Sequence, residues 1–173
     1  MFNPSIKIRP ANLADVQPIF DITRTTWLDT YPNEEFGVRY GDIVAKFSDS
    51  EKSFQKISKR IESHDNDNCG WVAESGGKIV GFSTAVRENN KGVLVKAIYV
   101  RPEYQGRGIG GELLREILKF YKNSKKFWLE VAVYNKKAIG FYEKFGFQII
   151  SGSEGKCEII GDKFIPTIKM KRG

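Results

Sequence analysis

The chain has 173 residues, 40% of them hydrophobic, and a formal net charge of +7, enough apolar content for one globular domain over residues 1–173 with a real core. No run approaches the ~18 apolar residues of a membrane span. The opening Met-Phe-Asn-Pro-Ser-Ile-Lys also lacks a signal-peptide apolar core, so a cytoplasmic protein with no membrane partner is expected. Two cysteines, Cys69 and Cys157, with a single histidine, His64, are too few for a disulfide scaffold or a zinc site, so free thiols and no metal are expected. The basic residues are scattered, with no basic helix, zinc finger or RNA-binding signature, which argues against a nucleic-acid partner. The charge is read as a solvated surface, part of it serving an anionic cofactor.

Taken in order, Ser5 to Arg9 alternates as a short strand that Pro10 ends. A helix begins at Asp15, with Val16, Ile19, Phe20, Ile22 and Trp27 as its apolar face and Pro18 in the first turn. Trp27 and Tyr31 stand one helical turn apart, with Glu34 and Glu35 just beyond. Two readings stay open there: core aromatics beside a helix start, or an aromatic wall with carboxylates that suits a cationic amine. From about 35 to 65 the chain is polar and helical in pattern, with stripes of Ile43, Val44 and Phe47, then Phe54, Ile57 and Ile61. His64, at its end, reads as a surface residue. Cys69 to Glu74 and Lys78 to Arg87 read as a hairpin through Gly76-Gly77, and the turn Glu88-Asn-Asn-Lys-Gly92 leads into a buried strand, Val93 to Val100.

That strand stops at Pro102, and from Ile109 the apolar residues at 109, 113, 114, 117, 118 and 121 mark one face of a helix. Gly106, Gly108, Gly110 and Gly111 lie on or just before its first turn. No Cβ screens the backbone there, the first four N–H groups of a helix have no internal partner, and the dipole adds positive charge. The place therefore suits a phosphate or pyrophosphate. A Walker P-loop pattern is absent. Gly106, Gly108 and Gly111 satisfy G-x-G-x-x-G, with Glu130 at a ribose-contact distance downstream. However, five residues including Pro102 separate strand from glycine, and an antiparallel meander precedes the loop. Neither suits a doubly wound dinucleotide sheet.

Gln105-Gly106-Arg107-Gly108-Ile109-Gly110, after a strand ending Val-Arg-Pro-Glu-Tyr, resembles motif A of the GCN5-related N-acetyltransferases (GNAT). A second match follows a further buried strand, Phe127 to Val133. Residues 135 to 147, Asn-Lys-Lys-Ala-Ile-Gly-Phe-Tyr-Glu-Lys-Phe-Gly-Phe, resemble motif B of the same family. They read as a helix capped by Asn135 and Gly146, with Asn135, Ala138, Ile139, Tyr142 and Phe145 on one face. Strand, helix and strand form a right-handed crossover, so 93–100 and 127–133 should run parallel. The implied fold is α/β (α+β): a mixed, mostly antiparallel sheet with a central splayed parallel pair flanked by helices. A closing hairpin over Gln148 to Ser151 and Lys156 to Met170, turning at Gly161-Asp162, is expected to shape the acceptor site and a homodimer contact.

The resemblance implies that acetyl-CoA is the co-substrate, with the acyl arm between the splayed strands. Its contacts fall on Ile98, Tyr99, Val100, Gln105, Gly106, Arg107, Gly108, Ile109, Gly110 and Gly111, and on Asn135, Ala138, Tyr142 and Lys144. Tyr142 would protonate the departing sulfur, and a backbone N–H near Ile98 to Val100 would hold the thioester oxygen. An alkylammonium with a pKa of about 10.4 must lose a proton before attack, so a base is needed. The strand before the loop carries Lys96 and no acid. Glu130 is the first candidate, acting through water, and Glu34 or Glu35 the second; alternatively, Glu130 pairs with Lys96. Trp27, Tyr31, Glu34 and Glu35 resemble the acceptor region of the polyamine-acetylating branch, making spermidine or spermine a candidate small amine. A protein N-terminal or lysine acetyltransferase and a non-catalytic coenzyme A sensor remain alternatives.

Overall fold

In a computed structural model that describes residues 5–89 and 91–173, the strands are β1 (Ile6–Pro10), β2 (Asn68–Ser75), β3 (Lys78–Glu88), β4 (Gly92–Val100), β5 (Phe127–Ala132), β6 (Gln148–Ile149), β7 (Gly155–Ile160) and β8 (Lys163–Arg172). They pair in the order β1-β2-β3-β4-β5-β8-β6, with β7 also on β8. Among the described residues only β4 and β5 run parallel. Met1 to Pro4, and Asn90 within the turn expected at 88–92, lie outside the described residues. The strands and the closing hairpin fall where the alternation places them, although β6 covers only the first half of 148–151.

Helices α1 (Val16–Thr30), α2 (Tyr40–Lys46) and α3 (Ser50–Glu62) are joined by α4 (Ile109–Phe120) and α5 (Lys136–Lys144). On α4, Ile109, Leu113, Leu114 and Ile117 are fully buried and pack with Val93, Val95, Leu129, Val131 and Met170 in the main core. The opposite sheet face meets α1, whose Ile19 and Ile22 pack on Val72 and Phe82, and whose Trp27 joins Ile43 and Ala132. Asn12 and Asp15 form a reciprocal capping box before α1. Pro18 falls within the first turn, where its missing N–H removes no hydrogen bond.

The parallel pair is short. Only Val93 with Phe127 and Leu94 with Trp128 are in register before the strands part. Consecutive Thr84 and Ala85 on β3 face Ala97 and Val95 on β4, which makes Lys96 the extra residue of a β-bulge. A bulge bends its strand and increases local twist. It also shifts the side-chain alternation: Val93, Val95, Ile98 and Val100 face the main core, whereas Ala97 and Tyr99 face α1.

Candidate active site

The glycine loop is built by conformation at its start and by packing at its end. Gly106 and Gly108 hold φ of 76° and 81°, the left-handed region open to glycine, and a Cβ on either would meet open space. By contrast, a Cβ on Gly111 would come within 3.1 Å of Phe145 and one on Gly110 within 3.5 Å of Phe141. Those two glycines let α4 lie close against α5. Among the described residues, no carbonyl or side chain takes the N–H groups of residues 106 to 111. Six unclaimed donors at the positive end of a helix fit a pyrophosphate. Arg107 rests its guanidinium 5.0 Å from the Tyr104 ring centroid, and Gln105 Nε2 donates to the Val100 carbonyl at 3.0 Å.

Beside this loop lies the edge of β4 that β5 has left. The Arg101 N–H donates to Val80 on β3 at 2.8 Å, so alternation turns the N–H groups of Val100 and Ile98 toward the free edge. Asn135 caps α5 by accepting from the Ala138 N–H at 3.0 Å, and Ala138 packs on the main core. Tyr142, one turn further, sets its ring 5.7 Å from Phe147 and 5.0 Å from Phe141. Burial pushes its phenol well above the usual tyrosine value, and neighbouring Tyr99 adds to the effect. Tyr142 therefore stays protonated at neutral pH. Lys144 is exposed on the other side of α5.

On the α1 side of the sheet the splay opens into a groove of about 590 Å³. Trp27 and Tyr31 line it with ring centroids 4.7 Å apart. Trp27 Nε1 donates to the Tyr99 hydroxyl at 3.1 Å. Burial raises the Tyr31 phenol well above the ordinary phenol value, and raises that of neighbouring Tyr99 as well. Glu34 and Glu35 are not brought to this wall. They lie exposed on a short 3-10 turn, and neither lines the groove. Glu130 does line it, with Oε1 3.8 Å from Lys169 Nζ. The alternative pairing of Glu130 with Lys96 does not form, because β4 and β5 separate before reaching those residues.

Several groove residues escape the sequence reading. Lys46 Nζ sits 4.9 Å from the Trp27 ring centroid and donates to the carbonyls of Glu158 and Ile159 at 3.2 and 3.3 Å. Half-buried Cys157 also lines the groove; burial raises its thiol above the ordinary value. The Tyr134 hydroxyl donates to the Tyr31 carbonyl at 2.8 Å. These partners come from opposite ends of the chain, and no local spacing announces them. Lys56 and Arg60 are different: they lie on α3 at i, i+4, which does put them on one face. Among the described residues, no group of three metal-ligating side chains occurs and no helix is long and apolar enough to cross a membrane.

A parallel pair that opens beside a glycine-rich helix start, with an aromatic groove on the α1 side of the sheet, is the architecture of an acyl-CoA-dependent transferase. The chain belongs to the acetyltransferase (GNAT) family, whose model matches residues 18–147. It is 32% identical to a spermidine N(1)-acetyltransferase of Thermoplasma acidophilum, covering 92% of this chain and 98% of that one. It is 42% identical over 95 residues to the N-alpha-acetyltransferase RimI of Mycobacterium tuberculosis, covering 53% of this chain and 58% of the relative. Among solved structures, the PaiA N-acetyltransferase of Thermoplasma acidophilum in complex with coenzyme A superposes with a TM-score of 0.74 at 25% identity, covering 97% of this chain and 98% of that one. The chain is thus an acetyl-CoA-dependent N-acetyltransferase of GNAT fold.

Proposed function

We propose that the chain transfers acetyl from acetyl-CoA to a primary amine by direct attack, with Tyr142 as general acid toward the departing thiolate. The observation that carries this is the parting of β4 from β5 after Leu94 and Trp128, beside a phenol that burial keeps protonated. In this reading the N–H groups of residues 106 to 111 cradle the pyrophosphate, and Gln105 fixes the loop against Val100. Asn135 and Ala138 set the start of α5 beside the acyl arm, and Lys144 offers a cation at its far end. The N–H of Ile98 or Val100 receives the thioester oxygen as it gains charge. Glu130, the carboxylate within the groove, takes the amine proton through water; Glu34 and Glu35, exposed and off the groove, are weaker candidates.

For the acceptor, the name of the Thermoplasma acidophilum relative makes a polyamine the first class to assay, and Trp27 with Tyr31 supplies an aromatic wall for a cation. A protein N-terminus is the second class, favoured by the match to RimI. The test is thiol release from acetyl-CoA with spermidine or an amine-bearing peptide added. Acceptor-dependent release is expected. Coenzyme A binding without release under any acceptor would leave a sensor instead of an enzyme.

A further inference from the structure

The groove on the α1 side is lined by Lys46, Lys56, Arg60 and Lys96, against a single carboxylate, Glu130. That carboxylate already faces Lys169 at 3.8 Å. Among the described residues, none of the four lining cations has a carboxylate within salt-bridge distance. They act in two pairs: the Arg60 charge adds to burial in lowering Lys96, and the Lys56 charge does the same to Lys46. Lys46 is also held in place by two carbonyls and the Trp27 ring. Lys56, Arg60 and Lys96 are exposed along the groove, with the Glu158 charge acting on Lys46 and the Glu88 charge on Lys96.

A second, independent feature of the same walls points the same way. Thr167, 5% exposed, lies on the groove wall with a hydroxyl that has no hydrogen-bond partner among the described residues. Trp128, on the same wall, has a buried Nε1 that is likewise unpartnered among the described residues. An indole N–H can only donate, and a hydroxyl has a proton to give. Buried polar atoms without partners are costly unless a ligand supplies the complement. The complement of ammonium, guanidinium, indole and hydroxyl donors is an anion.

We propose that the acceptor is a small amine that also carries a carboxylate or phosphate, with Arg60 and Lys96 as the anion-binding pair at the Lys96 bulge. The inference rests on the acetyl-transfer reading above and assigns its substrate class. A polyamine would bring further positive charge into a groove whose one carboxylate is already paired. The bulge gives Lys96 its position: as the extra residue of β4, it stands across the splay from β5.

The experiment compares acceptors that share a primary amine and differ in the second charge. Thiol release from acetyl-CoA is followed with γ-aminobutyrate against putrescine, with phosphoethanolamine against ethylenediamine, and with spermidine. Faster release from the anionic member of a pair is expected, and whichever pair responds identifies carboxylate or phosphate. Arg60→Glu and Lys96→Glu should each raise KM for that acceptor about tenfold and narrow the preference over its diamine. Calorimetric coenzyme A binding reports that each variant is folded. Faster release with spermidine or the diamines overturns the anionic acceptor and leaves acetyl transfer standing. Absence of release with all five small amines, from protein that binds coenzyme A, overturns the anionic small-amine acceptor; acetyl transfer itself falls only if the amine-bearing peptide also gives no release.

Discussion

Lys137 on α5 donates to the side-chain oxygen of Gln105, whose amide nitrogen donates in turn to the Val100 carbonyl at 3.0 Å. One glutamine thus ties the end of β4, the glycine loop and the start of α5 across the mouth of the splay. Gln105→Ala should loosen the loop. An exposed hydrogen bond is worth about 1 kcal/mol, so coenzyme A affinity is expected to fall about fivefold by calorimetry, with a melting temperature near that of the parent. Equal affinity would show that the bridge plays no part in shaping the loop.

Gly108 combines a left-handed backbone with open space above its Cα. Gly108→Ala should therefore show mainly conformational strain of about 1 kcal/mol. Gly108→Asp adds a negative charge where the pyrophosphate is proposed to lie. Titration calorimetry should find a much larger loss of coenzyme A affinity for aspartate than for alanine; similar losses would move the anion elsewhere.

Gly92 starts β4 with φ 97°, and a Cβ there would run into the Lys126 backbone, whose carbonyl accepts from the Val93 N–H at 2.9 Å. Both strain and collision fall on the one short stretch where β4 and β5 still pair. Gly92→Ala should destabilise the fold by about 2–3 kcal/mol, read as a drop in denaturation midpoint. Gly140→Ala, inside α5 with nothing near its Cα, should be neutral or stabilising.

Arg9 and Asp15 form an ion pair at 2.7 Å with the carboxylate 4% exposed. Burial raises Asp15, but the Arg9 hydrogen bonds, the Asn12 N–H and the Arg9 charge outweigh it, so the net value lies below the ordinary carboxylate pKa. Its contribution to stability is present above the unfolded value of about 3.9 and is lost as the pH falls through the lower folded value. Asp15→Asn should cost about 3 kcal/mol at pH 7, and the gap between variant and parent should narrow as the pH falls below about 3.9. A gap that does not change with pH would mean that packing, and not charge, gives Asp15 its effect.

Much of this was legible in local patterns. The strand, glycine loop and amphipathic helix from Val93 to Tyr121 follow from period and punctuation, and the Asn135 cap and inward Tyr142 from helical spacing. The bulge was not legible, since strict alternation would put Val95 and Ala97 on one face; the extra residue is set by register against Thr84 and Ala85. The groove on the α1 side was only half legible. Trp27 and Tyr31 announce themselves at one-turn spacing, yet adjacency in sequence grouped them with Glu34 and Glu35, which the chain turns outward to solvent. The groove's actual charges, Lys46 and Lys96 among them, are brought together by contacts spanning most of the chain.

Turnover of the Tyr142→Phe variant tests the central claim most directly. Phenylalanine keeps the ring packing against Phe141 and Phe147 and removes only the hydroxyl. If Tyr142 protonates the leaving thiolate, acceptor-dependent thiol release falls by about 10- to 10³-fold while calorimetric affinity for coenzyme A stays at the parent value. Turnover equal to the parent, with the same amine and at the same pH, would remove Tyr142 from the chemistry.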